Sequence, residues 1–72
     1  MTALDYITLY RDELEALRLC DFEGMTQEQA GTSMEISRGT VHRLLMSGRE
    51  KIVGAIISLK AIIFETETNV KK

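Results

Sequence analysis

Arg38, His42, Arg43 and Arg49 fall inside one twelve-residue stretch, and His42 is the only histidine in the chain. If that stretch is helical, these four and Met46 point away from Val41 and Leu45, which gives a cationic face backed by an apolar one. Guanidinium groups suit two anionic targets, the phosphate backbone and the acceptor pair on the major-groove edge of guanine. A helix fits the major groove and meets base edges with its first turns, where its own amides also favour phosphate. The competing reading is plain solvated charge for the arginines and an ordinary surface position for His42. Metal binding has little to draw on, because His42 and the single cysteine, Cys20, cannot supply a four-ligand zinc site from these residue types. The carboxylates Asp12, Glu13, Glu15, Asp21 and Glu23 scatter over a helix surface with no nucleophile among them. They read as a solvated face, and no catalytic residue, cofactor or enzyme activity is expected.

Positioning such a face takes a short helix, a tight turn and a second helix. Thr26 with Gln29 three residues on has the form of a capping box, opening a helix over about 27–34 with Ala30 and Met34 inward. Ala30 and Gly31 are small enough for another helix to cross closely. Glu35 and Ile36 make the turn, Ser37 caps the next helix, and Ile36 can staple onto it. That helix is expected over 38–59. Val41, Leu45, Gly48, Ile52, Ala55 and Leu59 recur at spacings of 4, 3, 4, 3 and 4, with Leu44 and Ile56 widening the stripe. Gly48 is a candidate elbow between a reading half and a packing half.

Upstream, a helix over about 10–22 carries Leu14, Leu17 and Cys20 inward, takes Asp12 and Glu13 in its first turn, and stops at a left-handed Gly24. Ala3–Leu9 and the segment KAIIFETE read as short strands, and Asn69–Lys72 as a frayed tail. Cys20 is expected in the core as a reduced thiol.

Seventy-two residues make a single domain with a limited core, and one cysteine rules out an intrachain disulfide. No apolar run is long enough for a membrane span, and the N-terminus lacks a signal pattern, so a cytoplasmic protein is expected. The net charge of −2 conceals a gradient. Residues 1–36 carry two arginines against eight carboxylates, whereas residues 37–72 carry seven cations against three, for half-chain charges of −6 and +4. A basic face on an acidic molecule is therefore available.

The order of these residues carries two resemblances. TQEQAGTSMEISRGTVHRLLMSGREKI resembles region 4 of the primary sigma factors, a helix-turn-helix that reads promoter DNA. The shared features are Thr26, Glu28, Ala30-Gly31, Ile36, Ser37-Arg38 and Val41. Over more of the chain, roughly Leu9 to Phe64, the run DELEALRL, the centre M-x-I-S-R-x-T and the run R-x-K-I resemble the family called domain of unknown function 134, small predicted DNA-binding proteins. The resemblance implies a sigma-region-4-like fold and a role in transcription. By position it puts Arg38, Gly39 and Arg43 at base edges, and Thr40, His42 and Gln27 near phosphates. Ser37 at the entry and Arg49 one turn on complete the set. Gly39 departs from region 4, which has a longer side chain there. Members of the family often begin with a basic, proline-containing segment, and some end in a domain similar to those that bind iron–molybdenum cofactor. Neither feature lies within these residues, so no ligand sensing is carried over.

The fold class expected is mainly α: a three-helix helix-turn-helix domain with a long last helix and short terminal strands. The function expected is sequence-specific binding of double-stranded DNA in transcription regulation. The alternative is a protein-interaction module of the sigma region 4 type, which would contact RNA polymerase. A homodimer through the C-terminal half is also expected, the alternative being a monomer in which AIIFETE pairs with ALDYITL of the same chain and covers the surplus apolar patch. Val41, Leu44, Leu45, Ile52, Ile56 and Leu59 suffice for the internal stripe, leaving Val53, Ile57, Ile62, Ile63 and Phe64 in excess. Pairing them about a two-fold axis would set two third helices roughly 34–36 Å apart, one DNA turn.

Overall fold

The computed structural model describes residues 5–65. Ala3, Leu4, Thr66, Glu67 and Asn69–Lys72, which figure in the strand and tail expectations, lie outside the described residues. Strand β1 (Tyr6–Leu9) leads into α1 (Arg11–Leu17), which continues through one π-helical turn over Arg18–Phe22. Then follow α2 (Gln27–Met34), α3 (Arg38–Ser58) and β2 (Ala61–Phe64). The molecule is mainly helical, with a long last helix and two short strands, as its periodicities imply.

Local chemistry accounts for the boundaries. Thr26 Oγ1 accepts the Gln29 amide at 3.0 Å, and Gln29 Oε1 accepts the Thr26 amide at 2.9 Å, the reciprocal box expected from the sequence. Helix α2 ends where Glu35 turns left-handed at φ 63°, and the Ile36 amide returns to the Gly31 carbonyl at 2.9 Å. A Cβ on Gly31 would sit 2.7 Å from the Ile36 carbonyl oxygen, so this tight turn requires glycine there. Ser37 Oγ accepts the Thr40 amide at 3.1 Å and starts α3. At the other end Leu59 is left-handed, and the Lys60 amide reaches back to Ala55 at 2.8 Å. Gly24 is left-handed at φ 82°, as expected, but the turn before it is π rather than α, with the Glu23 amide on the Arg18 carbonyl at 2.8 Å.

Gly48 does not break the last helix. Helix α3 runs unbroken through it, and a Cβ there would lie 2.9 Å from Leu17 Cδ1. The missing side chain lets α1 and α3 cross closely.

The two strands pair in parallel within the chain, Tyr6 opposite Ala61 through Leu9 opposite Phe64, with all three helices forming the crossover. Leu9, Ala16, Leu17, Leu19, Ala30, Val41 and Leu45 form the core, and Cys20, Met34, Leu44, Ile52 and Ile62 pack against it.

Three expectations about facing change. Leu14 is exposed, and the inward line of α1 runs through Glu13, Ala16 and Leu17. Ile56 and Leu59 leave the internal stripe, because the helix turns off at Leu59 and the last buried position is Ala55. Ile62, expected among the surplus residues, packs on the core instead, beside its strand partner Ile7.

Candidate nucleic-acid interface

The exposed side of α3 has a repeat of its own: Gly39, Arg43, Met46, Glu50, Val53 and Ile57, again spaced by 4 and 3. It opens with Gly39 and the basic Arg43 and ends in the apolar Val53 and Ile57, with Met46 and Glu50 between them. Arg38, Gly39, His42 and Arg43 are all exposed on the first two turns. Among the described residues the Arg38 and His42 side chains have no hydrogen bond or ion pair, and the Arg43 side chain makes one long contact, 3.4 Å to Thr40 Oγ1. A Cβ on Gly39 would meet only Ser37 Oγ, at 3.9 Å, so the backbone there lies open.

The other expected contacts are engaged to different degrees. Ser37 and Thr40 hold their hydroxyls 2.9 Å apart and together close the first turn, so their first role is capping. Gln27 is half-buried at the first position of α2. Arg49 is turned to another task. Its Nε and one terminal nitrogen donate to the two oxygens of Asp21, at 3.1 and 2.7 Å, pinning the π turn to α3. These hydrogen bonds hold the Asp21 carboxyl below its ordinary value. A shallow groove over the α2–α3 turn brings Glu28 and Glu35 near Arg38, so that flank of the face is bordered by negative charge.

The acidic first helix is largely compensated. Arg18 pairs with Glu15 at 2.8 Å and with Glu23 at 3.3 Å, and its hydrogen bonds lower the Glu15 carboxyl. Glu13 is the exception to the solvated-face reading. It is only 4% exposed and takes hydrogen bonds from Lys51 Nζ at 2.8 Å, from Ser47 Oγ and from the Tyr10 amide. Lys51 also donates to the Thr8 carbonyl at 2.9 Å and lies 4.1 Å from the centre of the Tyr10 ring. Burial pushes the Glu13 carboxyl up, but these donors outweigh it, and its pKa falls below the ordinary value. The cluster fastens β1 and α1 to α3, which fixes the helix that carries the basic face. Two sequence signals point to it: Glu13 sits three residues after Tyr10, the capping-box spacing, and three and four before inward-facing Ala16 and Leu17.

Among the described residues no group of three His, Cys, Asp or Glu side chains is placed to hold a metal ion, and no helix is long and apolar enough to cross a membrane.

Residues 2–71 match the family model described as protein of unknown function DUF134. Curated relatives include a UPF0251 protein of Pyrococcus horikoshii, 46% identical over 63 residues, covering 88% of this chain and 57% of the relative. A UPF0251 protein of Halothermothrix orenii is 49% identical over 59 residues, covering 82% and 44%. One from Thermococcus kodakarensis is 50% identical over 52 residues, covering 72% and 46%. The chain thus spans about half the length of these relatives. No solved structure matches it. From the match along nearly its whole length, the chain belongs to the DUF134 family of proteins of unknown function.

Proposed function

We propose that this chain is a sequence-specific DNA-binding module of a cytoplasmic transcription regulator, with the first turns of α3 entering the major groove. One observation carries the reading. The other guanidinium and ammonium groups within the helices have carboxylate partners or further interactions, whereas Arg38 and Arg43 stand exposed without a carboxylate partner among the described residues. Both sit on the outward face of a capped helix that follows a tight turn from another helix. In this reading Arg38 and Arg43 read base edges, His42 and Gln27 approach phosphates, and Gly39 lets the helix backbone come close to the duplex. Ser37 and Thr40 shape the helix start, and Arg49 stays with Asp21.

The alternative of docking on RNA polymerase through an acidic helix has less support, because Glu13, Glu15, Asp21 and Glu23 are all matched by cations within the chain. A salt titration of duplex binding separates the two. With the two charges of Arg38 and Arg43 brought against the duplex, affinity falls roughly tenfold between about 50 and 200 mM salt. Binding absent at low salt, or unchanged across this range, contradicts the proposal.

A further inference from the structure

Five glycines are spread along the chain, and four of them lie inside helices, with Gly39 on the proposed DNA-facing side. Gly31 and Gly48 have reasons within the molecule, since a side chain would strike the Ile36 carbonyl or Leu17. Gly54 shows none among the described residues: it lies in the last third of α3, its backbone is not left-handed, and a Cβ would meet nothing within 4 Å. A helix-interior glycine lowers stability relative to alanine by about 1 kcal/mol. Among the described residues no neighbour uses the space left by the missing side chain, so the surface at Gly54 is open to close approach. Its neighbours are apolar and uncovered. Val53, Ile56 and Ile57 are 53, 66 and 74% exposed, and Leu59 at the helix end is 85% exposed. The parallel strand pair does not shield them, because it packs on the inward side of the same helix, where Ala55 is buried and Lys51 reaches Thr8.

We infer that this half of α3 docks antiparallel on the same surface of a second copy of the chain. Charge argues for a copy of itself. Glu50 in the helix and Lys60 just past the left-handed turn at Leu59, both exposed, flank the apolar stretch around Ala55. An antiparallel copy centred there sets Glu50 against Lys60 of the second copy, and the two-fold repeats the pair at the other end. Between them Val53 and Ile57 meet their counterparts, and Gly54 lets the two helices approach closely. Area points the same way. Four aliphatic side chains and the flanking charges give a footprint on the order of 500 Å² per copy, below the ~800 Å² of a standard interface, which suits a weak dimer. The inference does not depend on DNA binding. Where that reading also holds, the two His42 residues, thirteen positions before Ala55, fall about 39 Å apart along the helices, near the ~34–36 Å of one duplex turn.

Sedimentation of the DNA-free chain from about 10 to 200 µM tests the inference. The wild type is expected to pass from monomer to mainly dimer over that range. Ile57→Asp, at a position most of whose surface faces solvent, is expected to weaken the dimer at least tenfold with an unchanged helical circular dichroism spectrum. Glu50→Lys and Lys60→Glu should each weaken it, and the two together should restore it. A wild type that stays monomeric throughout, or a dimer indifferent to Ile57→Asp, overturns the inference. A double charge swap no tighter than the single swaps overturns the antiparallel arrangement.

Discussion

Arg49 grips Asp21 through two nitrogens, at 2.7 and 3.1 Å, and so joins the last turn of the first helix to the middle of α3. Of the three arginines on the outward side of α3, it alone has a carboxylate among the described residues. Arg38 and Arg43 are left as the exposed cations at the helix start. This division separates what holds the domain together from what is proposed to read DNA.

Arg49→Ala should therefore act on stability and spare recognition. Both partners are about half exposed, so the loss is small, about 0.5–1 kcal/mol. Thermal melting checks the loss, and duplex affinity is expected to change less than tenfold.

Gln27→Ala should weaken binding to all duplexes alike, since a phosphate contact carries no base information. Affinities for a set of unrelated duplexes are the check. The expected result is one common factor across the set.

The Glu13–Lys51 pair makes stability depend on acid. Glu13 has a lowered pKa in the folded chain, so its contribution is complete above the ordinary glutamate value of 4.5 and is lost as pH falls through the folded value. Urea melts from pH 7 down to about 3 should show this loss, and Glu13→Gln should flatten that part of the profile. Lys51→Met at pH 7 leaves the buried carboxylate without its cation and is expected to cost about 2–4 kcal/mol.

The helical glycines give a graded series. Gly31→Ala should destabilise by about 2–4 kcal/mol, because its Cβ meets a backbone carbonyl that cannot move without opening the turn. Gly48→Ala should destabilise less, about 1–2 kcal/mol, since a leucine side chain can shift and the helix gains an alanine. Chemical denaturation of both variants measures the order.

Most of this fold could be read from local rules. Thr26, Gln29, Ser37 and Gly24 mark ends by chemistry that needs no tertiary context, and the structure places each end as they imply. The 4-3 repeat from Val41 to Ala55 likewise located the buried side of α3. What escaped depends on distant partners. Glu13 is buried because Lys51 and Ser47 arrive from another helix, and no spacing within α1 declares them. The seam overran at Leu59 because the left-handed turn there is made without glycine. Ile62 faces inward through the parallel pairing with β1, a register that neither strand specifies alone. At the proposed interface Arg38, Gly39, His42 and Arg43 share one exposed face as their spacing implies, while the claim of Asp21 on Arg49 is a tertiary fact.

The central claim, that the start of α3 reads DNA, is tested most directly by selecting bound sequences from a random duplex pool with the wild type and with Arg43→Ala. The account predicts that the wild type enriches a defined motif containing guanine. It also predicts that Arg43→Ala loses preference at one or two of its positions, a discrimination worth about 1–3 kcal/mol. A wild-type pool that stays random, or an Arg43→Ala motif identical to the wild-type one, would contradict it.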